Sequence, residues 1–293
     1  MSGVAGLTPV TRAHAHAPRR SSDSMSPVQT GYEYRGMLAS TWDLLRGDYS
    51  TWPDRPFYRA IIERSGQPAL DVGCGTGRLL LDSLQAGIDI DGVDNSPEML
   101  DICREKAASL GLDVSGRLFQ QTMERLDLPR RYGTVLVPSS SIQLLTDPAD
   151  AAEAMRRFLG HLLPGGTLVM SVMDLFGGKT APQGEWTQWR LHAERQRDDG
   201  ATVRRYTRSQ FDHGQRVVDE QSRFELWRGD EKIGEELHER SPTRSYDQAS
   251  ARQLCLDAGF VDVRLTAGFT DGPATPDDGL FCVIARRPVA SSG

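Results

Sequence analysis

A chain of 293 residues with ordinary apolar (38%) and charged (25%) fractions is long enough for one large α/β domain carrying an insertion, and its net charge of −6 leaves no basic footprint for a nucleic acid. No apolar run reaches the length of a membrane span. Cys74, Cys103, Cys255 and Cys282 have neither zinc-ligand nor disulfide-framework spacing, so a cytoplasmic protein with a small-molecule partner and no metal is expected.

Residues 1–31 are Ser, Ala, Pro, Arg and His without periodicity and read as a disordered tail, with His14 and His16 solvated rather than a metal pair. From 32 to 65 the apolar and aromatic spacing turns helical, predicting an N-terminal cap of two helices broken near Trp52-Pro53-Asp54. The next stretch organises the rest: Ala69-Leu70-Asp71-Val72-Gly73-Cys74-Gly75-Thr76-Gly77-Arg78 is a short apolar strand, an acid, three alternating glycines and a helix start. Glycines there let the main chain approach a ligand, and the helix start should turn N–H donors into the same crevice. Dinucleotide sites read G-x-G-x-x-G with the pyrophosphate on the helix N-terminus, whereas these glycines alternate strictly behind Asp71, which suits an ammonium or an ordered water better than a phosphate.

A second strand ends in Asp94, about 20 residues past the glycines, where such folds bind ribose hydroxyls. Asn95-Ser96-Pro97 then opens a helix, so capping and ligand binding coincide. Strands are expected at 69–72, 89–93, 116–120, 134–138 and 167–173, with helices at 78–86, 97–110 and 148–163. Right-handed crossovers then bring Asp71, Asp94, Thr122 and Ser139 to one edge of the sheet.

Asp-x-Gly-x-Gly-x-Gly with Asp94 and the strand-four turn at Pro138-Ser139 resembles the class I S-adenosylmethionine-dependent methyltransferases. The resemblance implies a doubly wound, mostly parallel seven-stranded α/β sheet and a methyl transfer to nitrogen or oxygen of a small-molecule acceptor by in-line displacement. It implies cofactor contacts at Tyr34, Trp42, Asp71, Gly73, Cys74, Gly75, Gly77, Asp94, Asn95, Met99, Thr122, Met123, Pro138 and Ser139. Thr122 stands where the family often has an acid for the adenine amino group, which leaves the Thr122 hydroxyl or the Met123 main chain for that contact. The strand-four turn lacks the Asn/Asp-Pro-Pro-Tyr/Phe sequence of nucleic-acid amino methyltransferases.

Past Asp174 the texture changes. Residues 186–239 alternate with turns at Asp199-Gly200, His213-Gly214 and Gly229-Asp230, predicting three or four antiparallel strands inserted after strand five, with 215–227 pairing to 202–211. Such an insertion resembles that of amino-sugar and glycopeptide N-methyltransferases, where it roofs the pocket and can serve a homodimer. Acceptor contacts are expected at Ser140, Ser141, Gln143, Trp186, Arg205, Tyr206 and Tyr246. His238 is the candidate general base, the alternative being a side chain paired with Glu236 or Glu239. The expected division is 1–31 tail, 32–65 cap, 66–174 cofactor-binding core, 175–246 insertion, 247–288 closing helix and strands, and 289–293 tail. A nicotinamide-dependent oxidoreductase, a non-catalytic cofactor-binding relative and a tRNA or protein methyltransferase stay open as alternatives.

Overall fold

The cap breaks more finely than its spacing predicts. In the computed structural model, which describes residues 32–177, 183–239 and 241–289, it comprises α1 (Gly36–Ser40), α2 (Trp42–Arg46) and α3 (Asp54–Ser65). Thr41 divides the first two, Gly47 ends the second at φ 70°, and α3 starts directly after Pro53. The tail expected over 1–31 lies outside the described residues, as do 290–293.

The core follows in alternation: β1 (Ala69–Val72), α4 (Arg78–Gln85), β2 (Ile90–Asp94), α5 (Pro97–Ser109), β3 (Leu118–Gln120), β4 (Tyr132–Val137), α6 (Pro148–His161) and β5 (Leu162–Met173). Pro at the first helical position and a side-chain cap from Ser96 or Asp147 fix where α5 and α6 begin. The insertion is β6 (Arg190–Gln196), β7 (Thr202–Asp212), β8 (Val217–Arg228), β9 (Glu231–His238) and the short β10 (Thr243–Arg244), one strand more than the turns predict. Then α7 (Gln248–Asp257), β11 (Val261–Ala267) and β12 (Leu280–Arg286) close the chain.

Seven strands form the central sheet in the order β11-β12-β5-β4-β1-β2-β3, with β12 antiparallel to both neighbours and the other pairs parallel. The class I methyltransferase sheet is therefore present, with a separate antiparallel sheet inserted after its fifth strand.

Side-chain parity along the strands sends alternate residues into two cores. Leu70, Val72, Val135 and Val137 pack with Met155, Phe158 and Cys255 on the α6/α7 face. Ala69, Leu136 and Val169 pack with Tyr58, Ile61, Leu80 and Cys103 on the α3/α4/α5 face. Asp71 shares the parity of Ala69, so it points beneath α4 and α3. That placement decides its role below. Among the described residues no helix is long and apolar enough to cross a membrane, and no cluster of His, Cys, Asp or Glu is arranged to hold a metal.

The sheet also sets one tight contact that motif reading overlooks. A Cβ on Gly133 in β4 would lie 2.6 Å from the main-chain oxygen of Gly66, in a backbone that cannot yield as a side chain can. Gly133→Ala is expected to destabilise the fold by about 1–3 kcal/mol and lower the thermal midpoint by several degrees; an unchanged melting curve would show that the close approach is not a constraint.

Candidate active site

The glycine loop is held in shape by its own hydrogen bonds. Gly73, Gly75 and Gly77 take φ of 71°, 54° and 84°, a left-handed region that side-chain-bearing residues avoid. Gly73 and Cys74 N–H both donate to Val93 O, Gly77 N–H donates to Cys74 O, and Gly75 N–H donates to Asp94 Oδ2 at 2.9 Å. Four loop donors are thus engaged, three on the end of β2 and one within the loop, so Gly73, Cys74, Gly75 and Gly77 offer no amide to a pyrophosphate. The glycines answer first to backbone and packing. A Cβ on Gly73 would meet Ser141 Oγ at 2.7 Å, one on Gly75 the Met99 methyl at 3.3 Å, and one on Gly77 the Cys103 sulfur at 2.5 Å.

Asp94 ties three segments together. Its Oδ2 accepts from Gly75 and its Oδ1 from Ser96 N–H at 2.9 Å, while Ser96 Oγ accepts from Met99 N–H and donates to Tyr34 O. Burial raises the Asp94 pKa, and the Ser96 and Gly75 donors pull it back. Each carboxylate oxygen keeps a lone pair for a further donor.

These segments border an open crevice. Of the expected cofactor contacts, Tyr34, Trp42, Gly73, Cys74, Gly75, Asp94, Asn95, Met99, Met123 and Ser139 line it, and so does Ser141, expected on the acceptor side. Cys74 is buried, which pushes its thiol pKa well up and leaves it unreactive. Ser139 and Ser140 take φ of 54° and 60°, so the strand-four turn carries backbone strain at the crevice wall.

Sequence reasoning missed Tyr32, Arg46, Thr76, Arg78, Gln121 and Leu144, which also line the crevice. Arg46 is the consequential one. Its guanidinium lies 4.1 Å from the Trp42 ring centroid, and no carboxylate among the described residues pairs with it. Burial, then the charge of Arg78, lowers its pKa while the more distant Asp43 and Asp54 raise it, so the guanidinium is a partly desolvated cation at the crevice with no directly paired carboxylate among the described residues. Arg78 does have a partner, the buried Asp54 at 2.6 Å.

Several expected contacts fall elsewhere. Asp71, at 1% exposure, sits under α4 with its Oδ1 unpartnered, on the side of Asp54 and Arg78. Thr122 is outside the crevice lining with its hydroxyl buried and unpartnered, and the Met123 N–H is taken up by the Tyr32 hydroxyl, although the Met123 side chain lines the crevice. Pro138 uses its carbonyl to accept from Ser141, and Ser140 N–H donates to Ser171 Oγ. Gln143 is wholly buried and clamps Met173 and Arg244 main-chain groups. Tyr246 packs in the core.

In the inserted sheet, pairing register separates Arg205 from Tyr206. Arg205 sits opposite Phe224 and beside Ser222 and Glu220 on the face turned toward Tyr34, bonding Glu220 at 2.9 Å. Tyr206 takes the other face and stacks on Arg223, which with Arg208 also stacks on Trp189; Arg208 reaches Trp186. Trp186 and Tyr206 therefore belong to a cation–π ladder on the outer face. His238 holds Glu236 through Nε2 at 2.6 Å and packs its ring edge on Phe224, the paired arrangement that the sequence offered as the alternative to a base. Glu236 in turn accepts from Met37 N–H at 3.0 Å, joining the roof to the start of α1.

Burial raises the Asp71 pKa to about 7, against roughly 3.9 for an unfolded aspartate. Between those values the folded chain binds the extra proton, so the stability gained from a neutral Asp71 is full below about pH 4 and lost as pH rises toward 7. Denaturant midpoints at pH 5 and 8 are expected to fall more for wild type than for Asp71→Asn; parallel changes would contradict this.

Residues 69–166 match the model of a methyltransferase domain. The dTDP-3-amino-3,6-dideoxy-alpha-D-glucopyranose N,N-dimethyltransferase of Streptomyces fradiae is 30% identical over 145 residues, which is 47% of this chain and 54% of that relative. The CcbJ methyltransferase of Streptomyces caelestis superposes with a TM-score of 0.70 at 22% identity, over 89% of this chain and 99% of that one. The SAM-bound amino pentose methyltransferase CalS10 of Micromonospora echinaspora gives 0.61 at 22% identity, over 87% and 98%. With the glycine loop, the acid closing β2 and the order of the central sheet, these matches show a methyltransferase domain over residues 69–166 and the class I methyltransferase fold around it.

Proposed function

We propose that the crevice seats S-adenosylmethionine with its ribose on Asp94 and its methionine carboxylate on Arg46, and that the enzyme methylates an amine of a small, polar acceptor entering beneath the inserted sheet. The observation that carries this reading is the partly desolvated Arg46 guanidinium, unpaired among the described residues, in a crevice whose other charged groups are Asp94 and the Asp54-paired Arg78. A zwitterionic amino acid joined to an uncharged nucleoside fits that charge layout. A dinucleotide fits less well, since the amides of Gly73, Cys74, Gly75 and Gly77 are engaged.

When bound, the cofactor supplies a methyl group already activated by its sulfonium. The chain's own work is positioning and exclusion of water, for which alignment of two reactants can contribute roughly 7–11 kcal/mol. Met99, Met123 and Leu144 offer apolar walls, and Tyr34 and Trp42, with ring centroids 4.9 Å apart, cover the mouth. Tyr34 also feels charges of both the crevice and the inserted sheet, since its buried hydroxyl senses Arg46 and Asp94 of the one and Arg205 and Glu220 of the other. Arg205, Glu220 and Ser222 form a connected donor and acceptor set suited to hydroxyls of a sugar-like acceptor.

One feature favours nitrogen over oxygen as the methylated atom: the crevice lining contains no histidine. A free amine needs no base before transfer, whereas a hydroxyl must lose its proton. The relative from Streptomyces fradiae is named for N,N-dimethylation of an amino sugar, and the same chemistry is the reading proposed here.

Calorimetric titration with S-adenosylhomocysteine tests the cofactor pose: Arg46→Ala and Asp94→Asn should each weaken binding about 10- to 100-fold, the cost of removing a charged hydrogen bond. Unchanged affinity in both would refute it. On a panel of amino sugars, phenols and tRNA, turnover is expected with amino sugars, and Arg205→Ala should raise the acceptor KM without changing the cofactor affinity. Methylation of phenols or tRNA alone would overturn the acceptor reading.

A further inference from the structure

Helix α2 is five residues long, too short to hold its orientation through its own hydrogen bonds, yet it carries Trp42 and Arg46, both of which line the crevice. Residues four apart share a helix face, so these two side chains look one way while Asp43 leaves from a different face. The Asp43 Oδ1 accepts from the Thr76 hydroxyl at 2.9 Å, and Thr76 is a buried member of the glycine loop that itself lines the crevice. The Asp43 Oδ2 accepts from Lys106 Nζ at 3.1 Å, on α5. Lys106 also donates to the Tyr49 hydroxyl at 3.2 Å, and Tyr49 donates to Asp43 Oδ1 at 3.3 Å.

One carboxylate thus fastens a short cap helix to the glycine loop and to the helix behind it. Lys106 is one of only three lysines in a chain that otherwise uses arginine, at a site where a compact ammonium meets three oxygen acceptors, one from a carboxylate and two from hydroxyls, rather than a planar carboxylate pair. Nothing in the chain's motifs marks Asp43.

We propose that Asp43, clasped between Thr76 and Lys106, is a positioning residue that sets Arg46 and Trp42 over the cofactor and so governs how tightly the cofactor is held. The assignment rests on the reading of Arg46 as the carboxylate site. Asp43 touches no reacting atom. It fixes the angle at which α2 presents its two crevice residues, and it does so through a residue of the very loop the cofactor lies against.

The test is a double-mutant cycle on the full-length chain, read by calorimetry with S-adenosylhomocysteine and by steady-state kinetics. Asp43→Ala should weaken binding about tenfold, the loss expected for hydrogen bonds to a charged group. In an Arg46→Ala background the same substitution should cost little more, because two groups that act as a unit are not additive. The cofactor KM should rise while the acceptor KM stays put. Asp43→Asn keeps an oxygen for Thr76 and should recover part of the affinity, and Lys106→Met provides a second way to open the clasp should Asp43→Ala fold poorly. Wild-type affinity in Asp43→Ala and Lys106→Met would overturn the proposal, as would Asp43→Ala and Arg46→Ala effects that multiply independently. Arg46→Ala binding as wild type would instead reject the carboxylate site, and the clasp's role with it.

Discussion

The Asp94 carboxylate is the joint on which the site depends. It closes the glycine loop through Gly75, starts α5 through Ser96, and by way of the Ser96 hydroxyl holds the main chain at Tyr34. One side chain therefore sets the floor of the crevice, the end of β2 and the approach of the cap. A buried carboxylate is costly unless hydrogen-bonded. Here two backbone donors offset that cost and leave lone pairs for a diol, so the requirement of the fold and that of the ligand coincide at one residue.

Around that joint, Tyr34 feels charges of both the crevice and the inserted sheet. Arg46 and Asp94 belong to the crevice, which Arg78 also lines, and Arg205 and Glu220, bonded together with Ser222, belong to the inserted sheet. The cap is held to both. Glu98 accepts from Gly36 N–H and Glu236 from Met37 N–H, so α1 is pinned to the core and the roof at the same end. A Cβ at Gly36 would lie 2.3 Å from the Glu236 carboxylate, so a side chain there would displace that carboxylate from Met37.

What the sequence reveals and what it hides follow from range. The glycine loop, β1 and Asp94 are legible because their geometry is local: a strand, a left-handed turn and a helix start occupy consecutive residues, and the acid falls one βα unit later. The placement of Asp71 was legible in principle from strand parity with Ala69, but its motif position drew it toward the ligand instead. In the insertion, strand existence could be read from alternation, whereas which residues face the pocket depends on register and on the irregularity between Leu191 and Ala193. Arg205 and Tyr206, adjacent in β7, lie on opposite faces by the pleat alone, so only one of them can turn toward the pocket. Arg46 escaped notice because it belongs to no motif; only the folding of α2 over the loop brings it beside Thr76 and Arg78. Gln143 and Tyr246 carried polar or aromatic labels that suggested contact with a substrate, and their burial shows them to be bracing for β5 and the core.

The most direct test of this arrangement is a crystal structure of the full chain grown with S-adenosylhomocysteine. The account predicts both ribose hydroxyls on the Asp94 carboxylate and the homocysteine carboxylate on the Arg46 guanidinium, with Tyr34 and Trp42 closed over the ligand. A ligand whose carboxylate points away from Arg46, or whose ribose leaves Asp94 untouched, would contradict it.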